Sequence, residues 1–258
     1  MKTTMRTIFK RLLLLPALLV SVQTALAQAE AAFPQYIWVN TMNVDYETAR
    51  FGYEKESFTP ILKARNDLPK SDVCYDPANE EELWLLGRYK NSSMKGSVNI
   101  LFSPGPSHDP AFIITDSKNN LIWGYPADEM CINSAGVIYT AGHSNKMFNE
   151  RCKWTFNGKA VKEVKQPFYF VGFKGKSLKS IKLYSQKTGG EVVATVPVGY
   201  EIEVLLSEAD TPVDEDGFSS MPMNYLVRTS FGLVGWLRLT QDDTYMEPVL
   251  DELRYWGD

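Results

Sequence analysis

Two histidines and three cysteines are all that 258 residues offer to metal or thiol chemistry. His108 and His143, taken with Cys74, Cys131 and Cys152, show no zinc-ligand spacing, so no metal site is expected. The phosphate loop, the Gly-x-Ser-x-Gly elbow and the His-Glu-x-x-His pair are all missing, and no cofactor is expected. A basic excess is lacking too. With 27 Lys and Arg against 31 Asp and Glu the chain carries a net charge of −4, whereas nucleic acid and anionic membranes call for a basic footprint. Past Val20 no apolar run approaches the ~20 residues that a membrane helix needs. No repeat marks a propeller.

What the chain does have is ring and sheet chemistry. Aromatics make up 12% of it, as 13 Tyr, 13 Phe and 6 Trp, and with many β-branched residues they favour strands. The 44% hydrophobic and 22% charged fractions are those of a globular protein.

Residues 1 to 27 read as a secretory leader. Lys2, Arg6, Lys10 and Arg11 precede the apolar run Leu12 to Val20, and Ala25-Leu26-Ala27 presents two small residues to a peptidase. Cleavage after Ala27 leaves 231 residues. All four leader charges are basic, so 23 Lys and Arg then face 31 Asp and Glu, net −8. The expected location is periplasmic or secreted, with no stable membrane insertion once the leader is gone. An oxidising compartment permits one disulfide among three cysteines. Cys131 and Cys152 flank a predicted meander and form the expected pair, with Cys74 free.

Between Gln28 and Lys70 only Tyr36 to Val39 reads clearly as a strand. Asn66 to Asn79, with Pro69, Asp72, Asp76 and Pro77, reads as a surface loop. Eight short strands follow at close spacing: Leu83 to Tyr89, Ser97 to Phe102, Ala111 to Thr115, Leu121 to Tyr125, Gly136 to Thr140, Cys152 to Phe156, Ala160 to Val164 and Phe168 to Phe173. Asn157-Gly158 reads as a type I′ hairpin. With no helical run between them, these segments predict an antiparallel meander, barrel- or sandwich-like, over residues 28–175. The Lys-Gly-Ser composition of Phe173 to Ser177 marks a boundary.

The segment after it carries a resemblance. Ile181-Lys182-Leu183-Tyr184 opens a first strand, and Val192-Val193-Ala194-Thr195-Val196-Pro197-Val198-Gly199 forms a strand and a turn. Tyr200 to Leu205, Tyr225-Leu226-Val227-Arg228 and Phe231-Gly232-Leu233-Val234-Gly235-Trp236-Leu237 follow. In order and spacing these pieces resemble the bacterial SH3-like (SH3b) family, over about 60 residues. The resemblance implies a small β-barrel across 176–243, and the alternation places Val192, Val204, Val227 and Leu237 inside it. The chain departs from the family between Ser207 and Asn224, an insert rich in Asp and Glu. Residues 244–258 complete the expected architecture: Val249, Leu250, Leu253 and Trp256 have helical spacing and predict a short C-terminal helix. The fold class expected is all-β.

Modules of this family accompany wall hydrolases, so a Cys/His peptidase must be considered. It would need a nucleophile opening a helix beside a strand-borne His. Cys152 instead lies in the strand-like Arg151-Cys152-Lys153-Trp154, and His108 in a loop. The chain is therefore read as non-catalytic. Its candidate ligand residues are Tyr184, Tyr200, Tyr225 and Trp236, aromatic rings at or beside strand ends, with core filling the other role open to Trp236. Two readings follow. One is a cell-envelope protein that binds peptidoglycan or a peptide through the SH3-like module. The other is an inhibitor or immunity protein whose acidic charge meets a basic wall-degrading enzyme.

Overall fold

The computed structural model describes residues 30–44, 47–79, 83–105, 109–209, 221–245 and 247–257. The leader, His108 and positions 210–220 of the acidic insert lie outside the described residues. The fold is all-β. In chain order β1 (Ile37–Val44) and β2 (Glu47–Tyr53) open one sheet; β3 (Phe58–Ala64), β4 (Trp84–Tyr89), β5 (Val98–Ser103), β6 (Ala111–Thr115) and β7 (Leu121–Pro126) form a second. The chain then returns to the first sheet with β8 (Glu129–Ile132), β9 (Val137–Gly142), β10 (Glu150–Phe156) and β11 (Val161–Glu163). A third sheet takes β12 (Phe168–Lys176), β13 (Ile181–Tyr184), β14 (Val192–Val196), β15 (Glu201–Glu208), β16 (Asn224–Thr229) and β17 (Val234–Arg238).

The first two sheets bury one core between them. Phe51, Met130, Ile132 and Ile138 come from one side, and Tyr89, Ile100, Phe102 and Phe112 from the other. The meander is β3 to β7, each strand antiparallel to the next. It is not the whole domain, because β2 pairs β8 in parallel. A parallel pair needs a long crossover, and the entire second sheet supplies it. β5 is buried on both faces, which explains its largely apolar text Val98-Asn99-Ile100-Leu101-Phe102, and the one polar residue, Asn99, donates to Thr115 Oγ1 at 3.1 Å and to the Asp116 carbonyl at 2.8 Å. Its second face is covered by the stretch read as a surface loop: Leu68 and Cys74 pack on Leu85 and Leu101, and Asp72 ties the stretch to Arg88 through a 2.6 Å ion pair. The Asn157-Gly158 turn is not type I′. Gly158 alone of the two takes a positive φ, of 88°, and the loop closes from Asn157 to Ala160.

In the third sheet the order is β12-β15-β16-β17-β13-β14. All five segments of the resemblance are strands, and β12 joins them as a sixth. The boundary expected near residue 175 therefore moves back to the link between β11 and β12. Val204, Val227 and Leu237 point into the core as expected. Val192 does not, because a register shift beside Tyr184 turns it to the outer face.

The C-terminal helix is displaced. It spans Gln241–Tyr245, and its start is set by a capping pair: Asp243 Oδ2 accepts hydrogen bonds of 2.7 Å from both the N–H and the hydroxyl of Thr240. After it the described tail is irregular. Val249, Leu250 and Leu253 are buried, yet they sit on extended chain that bridges Leu250 to Ser177 and Trp256 to Lys146. The apolar spacing reflects a strap stitching the two halves rather than a helical face.

The expected Cys131–Cys152 disulfide is not formed. The two cysteines lie on β8 and β10, either side of β9, where they face Tyr139 and Thr140. Two strand spacings put their Cα atoms ~9–10 Å apart, beyond the ~7 Å that a disulfide can span. All three cysteines are free and buried.

Candidate functional site

Strand register assembles one continuous row across the outer face of the third sheet. Phe170 opposes Leu206, Leu206 opposes Leu226, Leu226 opposes Trp236, Trp236 opposes Tyr184, and Tyr184 opposes Val192. Directly opposed residues share a face. The row thus crosses all six strands and spans ~24 Å at ~4.8 Å per strand. Its ends are open: Phe170 is 59% exposed and Val192 48%. Beside the row Phe168, in register with Glu208, brings its ring to 6.2 Å from that of Trp236 although β15 and β16 lie between their strands. Arg238 flanks the row. Its guanidinium lies 3.8 Å over the Tyr184 ring while it donates to the carbonyls of Gln186 and Gly189. Arg228 is paired with Glu203 on the same face.

Of the four candidate residues, the row takes Tyr184 and Trp236. Trp236 is partly buried under Phe168 and belongs to the outer face, not the core. Tyr225 is a correction: it is wholly buried and packs edge-on against Phe148 at 6.3 Å. Strand parity decides this, since Leu226 is the residue of β16 that opposes Trp236 and its neighbour must point the other way. Burial drives the Tyr225 phenol far above its ordinary pKa, with Glu208 and Glu150 adding to the rise. Tyr200 is exposed but elsewhere. It ends the turn before β15, bonded through its backbone to Ser177, six residues or ~20 Å along the strand from Leu206. The residues that sequence reading missed are Phe168, Phe170, Leu206, Leu226 and Arg238. Alternation at Phe168-x-Phe170 was the available signal, but pairing across β15 and β16 is not written in any one segment.

A second cluster lies where the halves meet. Tyr125 donates to Glu150 Oε1 at 2.6 Å, and the Cys152 thiol approaches the same oxygen at 3.4 Å. Lys146 Nζ donates to the Pro126 carbonyl at 2.8 Å and lies 4.5 Å over the Tyr125 ring, which packs edge-on against Trp154 at 4.7 Å. Burial pushes the Cys152 thiol up to about 12, with the Glu150 charge adding to it, and lowers the Lys146 ammonium. A thiol held this high is protonated at neutral pH and is a poor nucleophile. Near Trp256, at 5.7 Å between rings, His143 is held neutral by burial and its Nε2 is enclosed.

No family model, curated protein or solved structure matches the chain.

Proposed function

We propose that this chain is an exported, non-catalytic binding protein of the cell envelope, and that it holds peptidoglycan, through its peptide or glycan, on the outer row of the third sheet. The observation that carries the reading is the row itself. Five apolar or aromatic side chains and Val192 stand in register on a face whose opposite side already fills the core, so the fold does not need them for burial. Rings with open edges, flanked by arginine, suit a ligand with both apolar and polar groups. The leader-like first 27 residues and the SH3-like order of the five segments support the same reading. The high-lying Cys152 thiol supports a non-catalytic role.

The test is co-sedimentation with purified wall sacculi. Phe170→Ala and Tyr184→Ala should each lower binding tenfold or more while the thermal midpoint stays near that of the parent. Binding unchanged in both variants would refute the assignment of the row. The net −8 charge of the leaderless chain favours one alternative, an inhibitor of a basic wall-degrading enzyme. A stoichiometric complex that weakens steeply with salt, without sacculus binding, would mark it.

A further inference from the structure

The outer face of the first sheet is already occupied, and its occupant shows what chemistry fits there. Cross-strand pairing places Trp38, Gly52, Cys131, Tyr139 and Lys153 in one row and Arg50, Glu129, Ala141 and Arg151 in the next. Gly52 is needed for close approach, since a Cβ there would meet the Cys131 Cβ at 2.9 Å and the Trp38 ring at 3.0 Å. Over this face lies the segment 30–36. Its Glu30 carboxylate pairs with Arg50, whose guanidinium also lies 5.2 Å over the Trp38 ring. Its Phe33 ring meets the Tyr139 ring at 4.9 Å, and its Phe33 carbonyl accepts from Trp38 Nε1 at 3.3 Å. Lys153 Nζ lies on the Tyr139 ring as well, at 6.0 Å. Thus a carboxylate and, three residues on, an aromatic ring are matched to a buried guanidinium and a ring platform.

The segment is anchored at one end, where Tyr36 is buried and stacks on Phe33 with ring centroids 5.6 Å apart, and its start is more open. Glu30, Ala31, Ala32, Pro34 and Gln35 are exposed, and the ion pair has one side in solvent, with side-chain exposures of 52% for Glu30 and 8% for Arg50. Solvent screens the Glu30 end of the pair, while the Arg50 end is buried and favours a carboxylate partner. Beneath it Glu129 is the direct register partner of Arg50.

We propose that this face is a second docking surface, that residues 30–36 are its resident occupant, and that a partner-protein segment bearing a carboxylate one helical turn, three residues, before an aromatic ring displaces them, as Glu30 and Phe33 are presented by the helical start of the resident segment. The surface is independent of the row on the third sheet. Glu129, the register partner of Arg50, modulates the surface's hold. Burial raises that carboxyl to about 7, Arg50 and Arg151 oppose the rise, and Asp128 and Glu30 add to it. Coupling is reciprocal. Because a carboxylate at Glu30 disfavours ionisation of Glu129, an ionised Glu129 disfavours a carboxylate at that place and competes for Arg50. Docking is therefore tighter below pH 7 than above it.

The experiment is fluorescence anisotropy with a labelled synthetic peptide of sequence 28–36, titrated with the full leaderless chain. The parent must displace its own segment, so the Glu30→Gln/Phe33→Ala variant should bind the peptide at least tenfold more tightly. Raising the pH from 6 to 8 should weaken that binding, and Glu129→Gln should flatten the dependence. A peptide with Gln and Ala in place of its Glu and Phe should lose binding tenfold or more, a control that leaves the protein untouched. Arg50→Gln, checked for folding by its thermal melt, should do the same. Equal binding of the two peptides, or no gain in the Glu30→Gln/Phe33→Ala variant, would overturn the proposal.

Discussion

Tyr225→Phe should make the protein more stable. The Tyr225 side chain is wholly buried, and among the described residues its hydroxyl has no hydrogen-bond partner. A hydroxyl taken from water without a replacement partner costs ~1–3 kcal/mol. Phenylalanine keeps the ring, and with it the edge-on contact to Phe148. The oxygen-sized void left behind returns only a few tenths of a kcal/mol at ~24 cal/mol per Å³. The expected net gain is ~1–2 kcal/mol, which for a chain of this size raises the thermal midpoint by about 2–6 °C. Differential scanning calorimetry of the parent and the variant measures it, and sacculus binding should not change because Tyr225 faces away from the outer row. A loss of 1 kcal/mol or more would show that the hydroxyl is bonded, to a buried water for example, and that the reasoning fails.

Glu129 gives a pH signature. Unfolded it releases its proton near 4.5 and folded near 7, so between these values the folded state binds more protons and stability falls as pH rises. At 1.36 kcal/mol per unit the loss is at most ~3 kcal/mol, reduced by solvent screening. Chemical denaturation of Glu129→Gln should lack that slope, and an unchanged slope assigns it to another group. The cysteines give a third prediction. Burial raises the thiols of Cys74, Cys131 and Cys152, so a thiol reagent should react slowly with native protein and titrate three thiols after unfolding. A Cys131–Cys152 peptide in a non-reducing digest would contradict the strand order β8-β9-β10.

Local text was enough for much of the fold. Ala111–Thr115 and Ile181–Tyr184 were placed to the residue, because alternation between turn residues is a property of the segment itself. The apolar parity of β15, β16 and β17 also put Val204, Val227 and Leu237 inside. Local text failed where pairing partners decide. β2, β3 and β8 lack a clear period, and only their neighbours in the sheets make them strands. The parallel pairing of β2 with β8 depends on the 75 intervening residues, 54–128, folding into a separate sheet. Composition marked Asn66 to Asn79 as loop, yet the apolar back of β5 drew Leu68 and Cys74 into a core of their own.

The candidate site divides along the same line. Aromatic residues near strand ends were legible, but the face each occupies was not. One register step separates Tyr225 in the core from Leu226 in the row, and a shift beside Tyr184 turned Val192 outward. Sequence alone determined that the chain would be β-rich, acidic and poor in histidine and cysteine, since those follow from residue types and their short-range order. Tertiary structure decided which rings share a face, which carboxyl sits beside Arg50, and which cysteines lie too far apart to bond. Each of these depends on strand register, and register is set by contacts between residues distant in sequence.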